Sequence, residues 1–237
     1  MIKHHPTFEL IQSYVNGDLP ASLSAGISIH AEMCPKCQQH ISQLTEQIAA
    51  VSFEEDSFDI EYFEESSFEE NSFEQLAEAG DFKLNIDEMV SNITQSKDIT
   101  QVVSSTEKCI SFNNKKYTLP RALNNMQLDK PVNIGKLSRA RIQLSENEIH
   151  TSLLKINPGG GVPQHTHNGF ELTLLLDGSF HDEQGEYHKG DFIMLDGSHQ
   201  HNPVSDQGCL CFTVANGALH FTQGINKLLN PIGSFIY

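Results

Sequence analysis

Residues 159–178 read GGGVPQHTHNGFELTLLLDG. On an extended chain successive side chains point to opposite faces, so His165 and His167 project the same way. Glu171 joins them from the next part of the turn and strand. The apolar run that follows closes on Asp177-Gly178, and a second run, DFIMLDG at 191–197, closes in the same way. From about residue 100 onward the chain is a succession of short apolar segments punctuated by Gly, Pro, Asn and Asp. Evenly spaced strands with such turns specify a β-sandwich or barrel, expected here over residues 100–230.

The first stretch resembles the first motif of the cupin family, G-x5-H-x-H-x3-E-x6-G, with Gly159, His165, His167, Glu171 and Gly178 in register. GDFIMLDGSHQH, residues 190–201, is similar to the second cupin motif, G-x5-P-x-G-x2-H. It aligns Gly190 and His201, although Asp196 and Ser198 stand where Pro and Gly are usual. The alignment favours His201 over His199 as the fourth ligand. The resemblance implies a jelly-roll barrel holding a metal on His165, His167, Glu171 and His201. Three imidazoles and a carboxylate suit Zn, Mn, Fe or Ni, so ligand type does not name the metal. His4, His40, His150, His181, His188, His199 and His220 read as ordinary polar side chains. Cys209 and Cys211, in GCLCFTV, share one strand face directed to the barrel interior, where buried cysteine is usually a small hydrophobe.

The other end of the chain has a different period. Phe8, Ile11 and Val15 lie near one helical face, Gly17 breaks the run, and Leu23, Ile27, Ile41, Leu44, Ile48 and Val51 continue at helical spacing. A small bundle of about three helices is expected over residues 1–50. Within it His30, Cys34 and Cys37 form an HxxxCxxC pattern. Zinc favours four tetrahedral nitrogen and sulfur ligands, and a two-residue gap lets both sulfurs face one ion. His30 lies one helical turn before Cys34, and His5 is available from the first helix. Cys37 is expected at the start of a following helix, whose dipole favours thiolate. Each metal constellation is expected to be complete within its own domain. Five cysteines without a secretory leader argue for metal or redox chemistry rather than a disulfide scaffold.

Between these regions, residues 51–80 hold eleven acidic residues and no Lys or Arg, so most of the formal charge of -16 lies there. Phe53, Phe58, Phe63, Phe68 and Phe73 recur every five residues, a step that gathers aromatics onto one face of neither a helix nor a strand. The segment reads as an acidic, Phe-rich linker. Residues 81–97 form a fourth amphipathic helix, with Asp81 as N-cap and Phe82, Ile86, Met89, Val90 and Ile93 on one face. No clustered basic face suits a phosphate backbone, so direct nucleic-acid binding is not expected. The opening MIKHHPTFEL has no apolar core of a signal peptide, and no stretch approaches the roughly 18 apolar residues of a membrane span. A soluble cytoplasmic protein without a membrane partner is expected.

HHPTFELIQSYVNGDL, residues 4–19, followed by IHAEMCPKC, residues 29–37, resembles the ChrR-type zinc-binding anti-sigma family. Asn202-Pro203-Val204, after the second cupin motif, is also similar to that family. The resemblance implies that His5, the second histidine of the opening pair, is the fourth zinc ligand beside His30, Cys34 and Cys37. It implies a helical domain that sequesters an extracytoplasmic-function sigma factor. It further implies a cupin that senses an oxidative signal, singlet oxygen or an organic hydroperoxide. The fold expected is therefore multidomain α + β, and the protein is expected not to be an enzyme. The competing reading is a metal-dependent cupin enzyme, a dioxygenase or isomerase, with a helical assembly module. Fold alone does not separate the two. The N-terminal zinc pattern does, because an isolated enzyme has no need of it, and neither a Ser-His-Asp arrangement nor a phosphate loop is evident.

Overall fold

The apolar runs at 172–178 and 191–197 lie side by side as strands. In the computed structural model, which describes residues 2–55, 86–96, 107–167, 169–217 and 219–221, β9 (Phe170–Asp182) pairs antiparallel with β11 (Phe192–Asp196), placing Leu195 opposite Glu171. On its other edge β9 pairs with β13 (Cys209–Asn216). Beyond it come β6 (Ile149–Ile156) and β5 (Leu137–Gln143), flanked by the short β3 (Gln127–Leu128) and β4 (Val132–Ile134). The far half of β9 leaves these partners for β10 (Gly185–His188) and β12 (Val204–Ser205), and β12 also pairs with β7 (Gly160–Gly161). One long strand thus serves both walls, which curls the sheet into an antiparallel barrel. β8 (His165–His167) crosses the mouth, paired with β14 (Leu219–Phe221) and bridged to His201.

Both faces of the main sheet are apolar, which is why its strands read as continuous hydrophobic runs rather than alternating ones. Leu154, Leu175, Ile193, Leu195 and Cys211 fill the barrel interior. Leu153, Leu172, Leu174, Phe192, Phe212 and Val214 face the other way and are also buried. Two elements cover that outer face. One is the hairpin of β1 (Cys109–Phe112) and β2 (Lys115–Thr118), which turns through Asn113 and Asn114, both at positive φ, and contributes Phe112 and Tyr117. The pair of left-handed residues is what a two-residue hairpin turn requires, and asparagine tolerates it.

The other cover is helical. Thr7 caps α1 (Phe8–Asn16), its hydroxyl accepting the Leu10 N–H at 3.2 Å, and Gly17 ends the helix in the left-handed conformation. α2 (Ala21–Met33) buries Leu23, Ala25, Ile27 and Ile29 in the same core as the outer sheet face. Its closest approach is at Gly26, where a Cβ would stand 2.5 Å from Leu172 Cδ2. Pro35 opens α3 (Pro35–Glu55), a first-turn position at which its missing N–H costs nothing.

The helical segment and the barrel therefore depart from the expected pair of separate bodies. Residues Met1–Ile48 and Thr106–Tyr237 make one compact unit, and Ala49–Ser105 make a second. The second unit contains α4 (Ile86–Gln95), where Val90 is 53% and Ile93 72% exposed. Asp81 and Phe82, and the phenylalanines at 58, 63, 68 and 73, lie outside the described residues. No helix among the described residues is long and apolar enough to cross a membrane.

Candidate metal centres

The loop between α2 and α3 gathers three donors. His30 sits on the last turn of α2, Cys34 is its C-cap, with its N–H bonded to the His30 carbonyl at 2.9 Å, and Cys37 lies in the first turn of α3. His5 comes from the extended arm that precedes α1, not from the helix itself. His5 Nδ1 stands 3.4 Å from His30 Nε2, 3.5 Å from Cys34 Sγ and 3.4 Å from Cys37 Sγ, and His30 Nε2 stands 3.3 Å from Cys37 Sγ. Zinc bonds of about 2.0–2.1 Å to nitrogen and 2.3 Å to sulfur give a tetrahedron with edges of about 3.3–3.8 Å. These four separations have that spacing, all four donor atoms lie within 4.8 Å of one another, and three of the four residues are buried. The set fits a tetrahedral ion.

Protonation agrees with this fit. Burial pushes His30 down to about 4 and lowers His5 as well, so both imidazoles are neutral at physiological pH and offer a lone pair. His30 Nδ1–H donates to the Gly190 carbonyl at 2.8 Å, which leaves Nε2 as the acceptor directed at the cluster. This is the outer-shell bond that metal-ligating histidines usually make. Burial, with Cys34 beside it, pushes the Cys37 thiol up to about 12. Desolvation thus outweighs the helix dipole expected to favour thiolate. Ionising the Cys37 sulfur at neutral pH requires a cation in the cluster.

In the barrel, β8 presents His165 and His167, the start of β9 presents Glu171, and the segment after β11 returns His201. All four are buried, and their donor atoms lie within 4.8 Å of one another. Glu171 Oε2 stands 2.8 Å from His167 Nε2 and 3.1 Å from His201 Nε2, which is itself 2.8 Å from His165 Nε2. These separations are shorter than those of the first cluster. They match neighbouring vertices of an octahedron with bonds of about 2.1 Å, which lie about 3.0 Å apart. His165 Nδ1–H donates to the Pro163 carbonyl at 2.8 Å, and Asp182 lies 3.7 Å behind His201 Nδ1. Burial lowers His165 to about 4. Burial works against ionisation of Glu171, but the hydrogen bonds from His167 and His201 outweigh it and hold the carboxyl well below the usual range. An anionic carboxylate beside the neutral His165 imidazole, with His167 and His201 alongside, is a donor set suited to a divalent cation.

Every residue singled out by motif lies in one of these two clusters. Of the others, His199 pairs with Asp196 at 2.7 Å and His4 stacks on Tyr187 with ring centroids 4.9 Å apart. Cys209 and Cys211 are buried with their sulfurs 3.9 Å apart, and Cys211 lines a small cavity beside Glu171 and His201. Spacing gave no hint of the outer partners, the Gly190 and Pro163 carbonyls and the Asp182 and Asp191 carboxylates. The only signal at Asp191 is an acid heading an apolar strand.

Residues 136–219 match the family described as ChrR cupin-like domain. Anti-sigma-E factor ChrR of Cereibacter sphaeroides is 36% identical over 100 residues, which are 41% of this chain and 47% of that protein. The chain thus spans about half the length of the curated relative it matches. A chain in the crystal structure of Rhodobacter sphaeroides SigE in complex with the anti-sigma ChrR aligns with a TM-score of 0.55 at 21% identity, over 91% of this chain and 100% of that one. At that identity the likeness is one of fold: N-terminal helices followed by an antiparallel cupin-like barrel.

Proposed function

We propose that this chain is an anti-sigma factor, with a helical segment that binds an extracytoplasmic-function sigma factor and a cupin-like barrel that makes release conditional on an oxidative signal. The observation that carries the reading is the union, in one chain, of a His-His-Cys-Cys cluster on an arm and two helices with a His3Glu barrel. Similarity to anti-sigma-E factor ChrR supports it. Zinc held by His5, His30, Cys34 and Cys37 would supply a fourfold cross-link between the arm, α2 and α3. Zinc or another divalent metal (Mn, Fe or Ni) held by His165, His167, Glu171 and His201 would supply an oxidant-sensitive centre. Apolar surface is available to a partner: Phe8 on α1 is 56% exposed and Ile48 on α3 38%. The net charge of -16 suits a protein partner rather than DNA. A sigma-factor partner places this action in the cytoplasm.

The size of the barrel cavity favours sensing over catalysis. The cavity that Glu171, His201, Thr173, Thr213 and Cys211 line has a volume of about 20 Å3 as bounded by the described residues. That is room for one water-sized molecule. Small-molecule sites ordinarily offer about 300–1,000 Å3, so the cavity is small for a dioxygenase or isomerase substrate and equally for an organic hydroperoxide, and of the two oxidants it favours singlet oxygen. A signal there weakens the complex only by favouring a state with lower sigma affinity, and a tenfold loss takes about 1.4 kcal/mol of bias.

The test is reporter transcription from a sigma-dependent promoter, using the full chain and the extracytoplasmic-function sigma factors of the source organism in turn. The full chain represses and co-purifies with sigma. Variants His165→Ala, Glu171→Gln and His201→Ala still repress but respond weakly to singlet oxygen or organic hydroperoxide. A full chain that leaves transcription untouched removes the anti-sigma reading, and barrel variants that respond as wild type remove the sensing role.

A further inference from the structure

Three of the four donors in the first cluster belong to a helix–loop–helix and are placed by local structure. His5 does not. It sits on an arm, residues 2–5, with no secondary structure of its own, so something outside the helices must hold it. That something is the barrel. Asp191 Oδ1 accepts the backbone N–H groups of Lys3 at 2.7 Å and His4 at 3.1 Å, and the Phe192 N–H donates to the His4 carbonyl at 3.1 Å. Ile2 closes over Gly190, where a Cβ would stand 2.5 Å from Ile2 Cδ1.

Asp191 is fully buried, and its second oxygen accepts the His188 N–H at 2.8 Å. A buried carboxylate with three backbone donors is a costly group to place and a rigid one once satisfied. The residue before it reaches the same cluster, because the Gly190 carbonyl orients His30. Adjacent residues of the barrel therefore fix two of the four donors, from two elements that are otherwise unconnected at that point.

We propose that Asp191 is a positioning residue of the first metal centre, acting through the arm to hold His5, so that the helical centre is completed by the barrel. The proposal rests on reading His5, His30, Cys34 and Cys37 as a metal centre. It also gives the two centres a shared part. Asp191 heads β11, whose other end faces β9 at Glu171 and leads on to His201. The five residues of β11 span about 16 Å of strand. Backbone bonds between Asp191 and Leu175 (3.2 Å) and between Gly190 and Leu175 (2.8 Å) tie this end of β11 to the same β9.

The experiment titrates Co2+ into the metal-free full-length protein. Thiolate-bound cobalt gives near-ultraviolet sulfur-to-metal charge-transfer bands that a His3Glu site lacks, so the first centre is read separately from the second. Wild type shows the bands. Asp191→Ala and Asp191→Asn weaken cobalt binding at the thiolate site about 10–100-fold, the size usual for an outer-shell partner. Lys3→Pro, which removes one donor from the arm and leaves the barrel sequence intact, weakens it in the same direction. In a His5→Ala background, Asp191→Ala has no further effect, because the residue it positions is gone. Absence of thiolate bands in wild type overturns the metal reading itself. Bands present with wild-type affinity in Asp191→Asn and Lys3→Pro overturn the positioning role, as does a further loss in the His5→Ala background.

Discussion

Each donor has an environment that decides its protonation, and the two clusters solve the problem differently. Cys37 is a neutral thiol until a cation arrives, whereas Glu171 is already anionic through its imidazole partners. Replacing a thiol therefore removes the first ion: Cys34→Ser or Cys37→Ser is expected to lower metal content from two to one per chain, with a loss of zinc affinity beyond the 10–100-fold of an outer-shell change. Metal analysis of the purified variant checks this, and two metals retained would contradict it. The histidines give a pH signature. His30 and His165 are held near 4 in the fold against an ordinary 6.5. Between those values the unfolded chain binds more protons than the native one, so stability rises with pH there. The metal-free protein should be at full strength, as far as these two groups go, above about pH 6.5. It should weaken as pH falls from 6.5 to 4. Urea midpoints after chelation, measured at several pH values across that window, test it; a flat profile would mean the two rings are solvated.

Among the elements, α2 has an unusual position, because it is buried on most of its surface and serves two neighbours. One face meets the outer side of β9 and β13, and its C-terminal turn carries His30. Gly26 sets how closely helix and sheet approach. Alanine there would gain about 1 kcal/mol of helix propensity, but its methyl group would meet Leu172 at 2.5 Å and Phe212 at 3.4 Å. Overpacking of that kind costs about 1–3 kcal/mol. Both contacts are with fully buried side chains that have little room to yield, so the second effect wins. Gly26→Ala is expected to destabilise by up to about 2 kcal/mol, read from chemical denaturation. A stabilised variant would show that helix and sheet part easily.

For the molecule as a whole, the shared core predicts shared unfolding. The amides of α2 and those of β9 and β13 should exchange with solvent at the same free energy of opening, because the helix cannot leave without exposing the outer sheet face. Hydrogen exchange in which α2 opens well below the strands would show two independent bodies instead. Six donors, His30, Cys34, Cys37, His165, His167 and Glu171, were legible from short-range spacing: i, i+2 on a strand, one turn on a helix, two residues across a CxxC turn; His5 and His201 entered only through family resemblance. The apolar runs LTLLL and FIML implied strands of a sandwich or barrel, whereas the cover on both faces of the sheet came from the structure. Only the tertiary structure decided that α2 is one of those covers and that His5 stands on a free arm. It alone showed that Asp191, 188 residues from Lys3, is the group that holds the arm. The physical reason is one of range. Side-chain periodicity records which residues share a face of one element, whereas a carboxylate accepting backbone N–H groups from a distant segment leaves no period, spacing or composition in the chain.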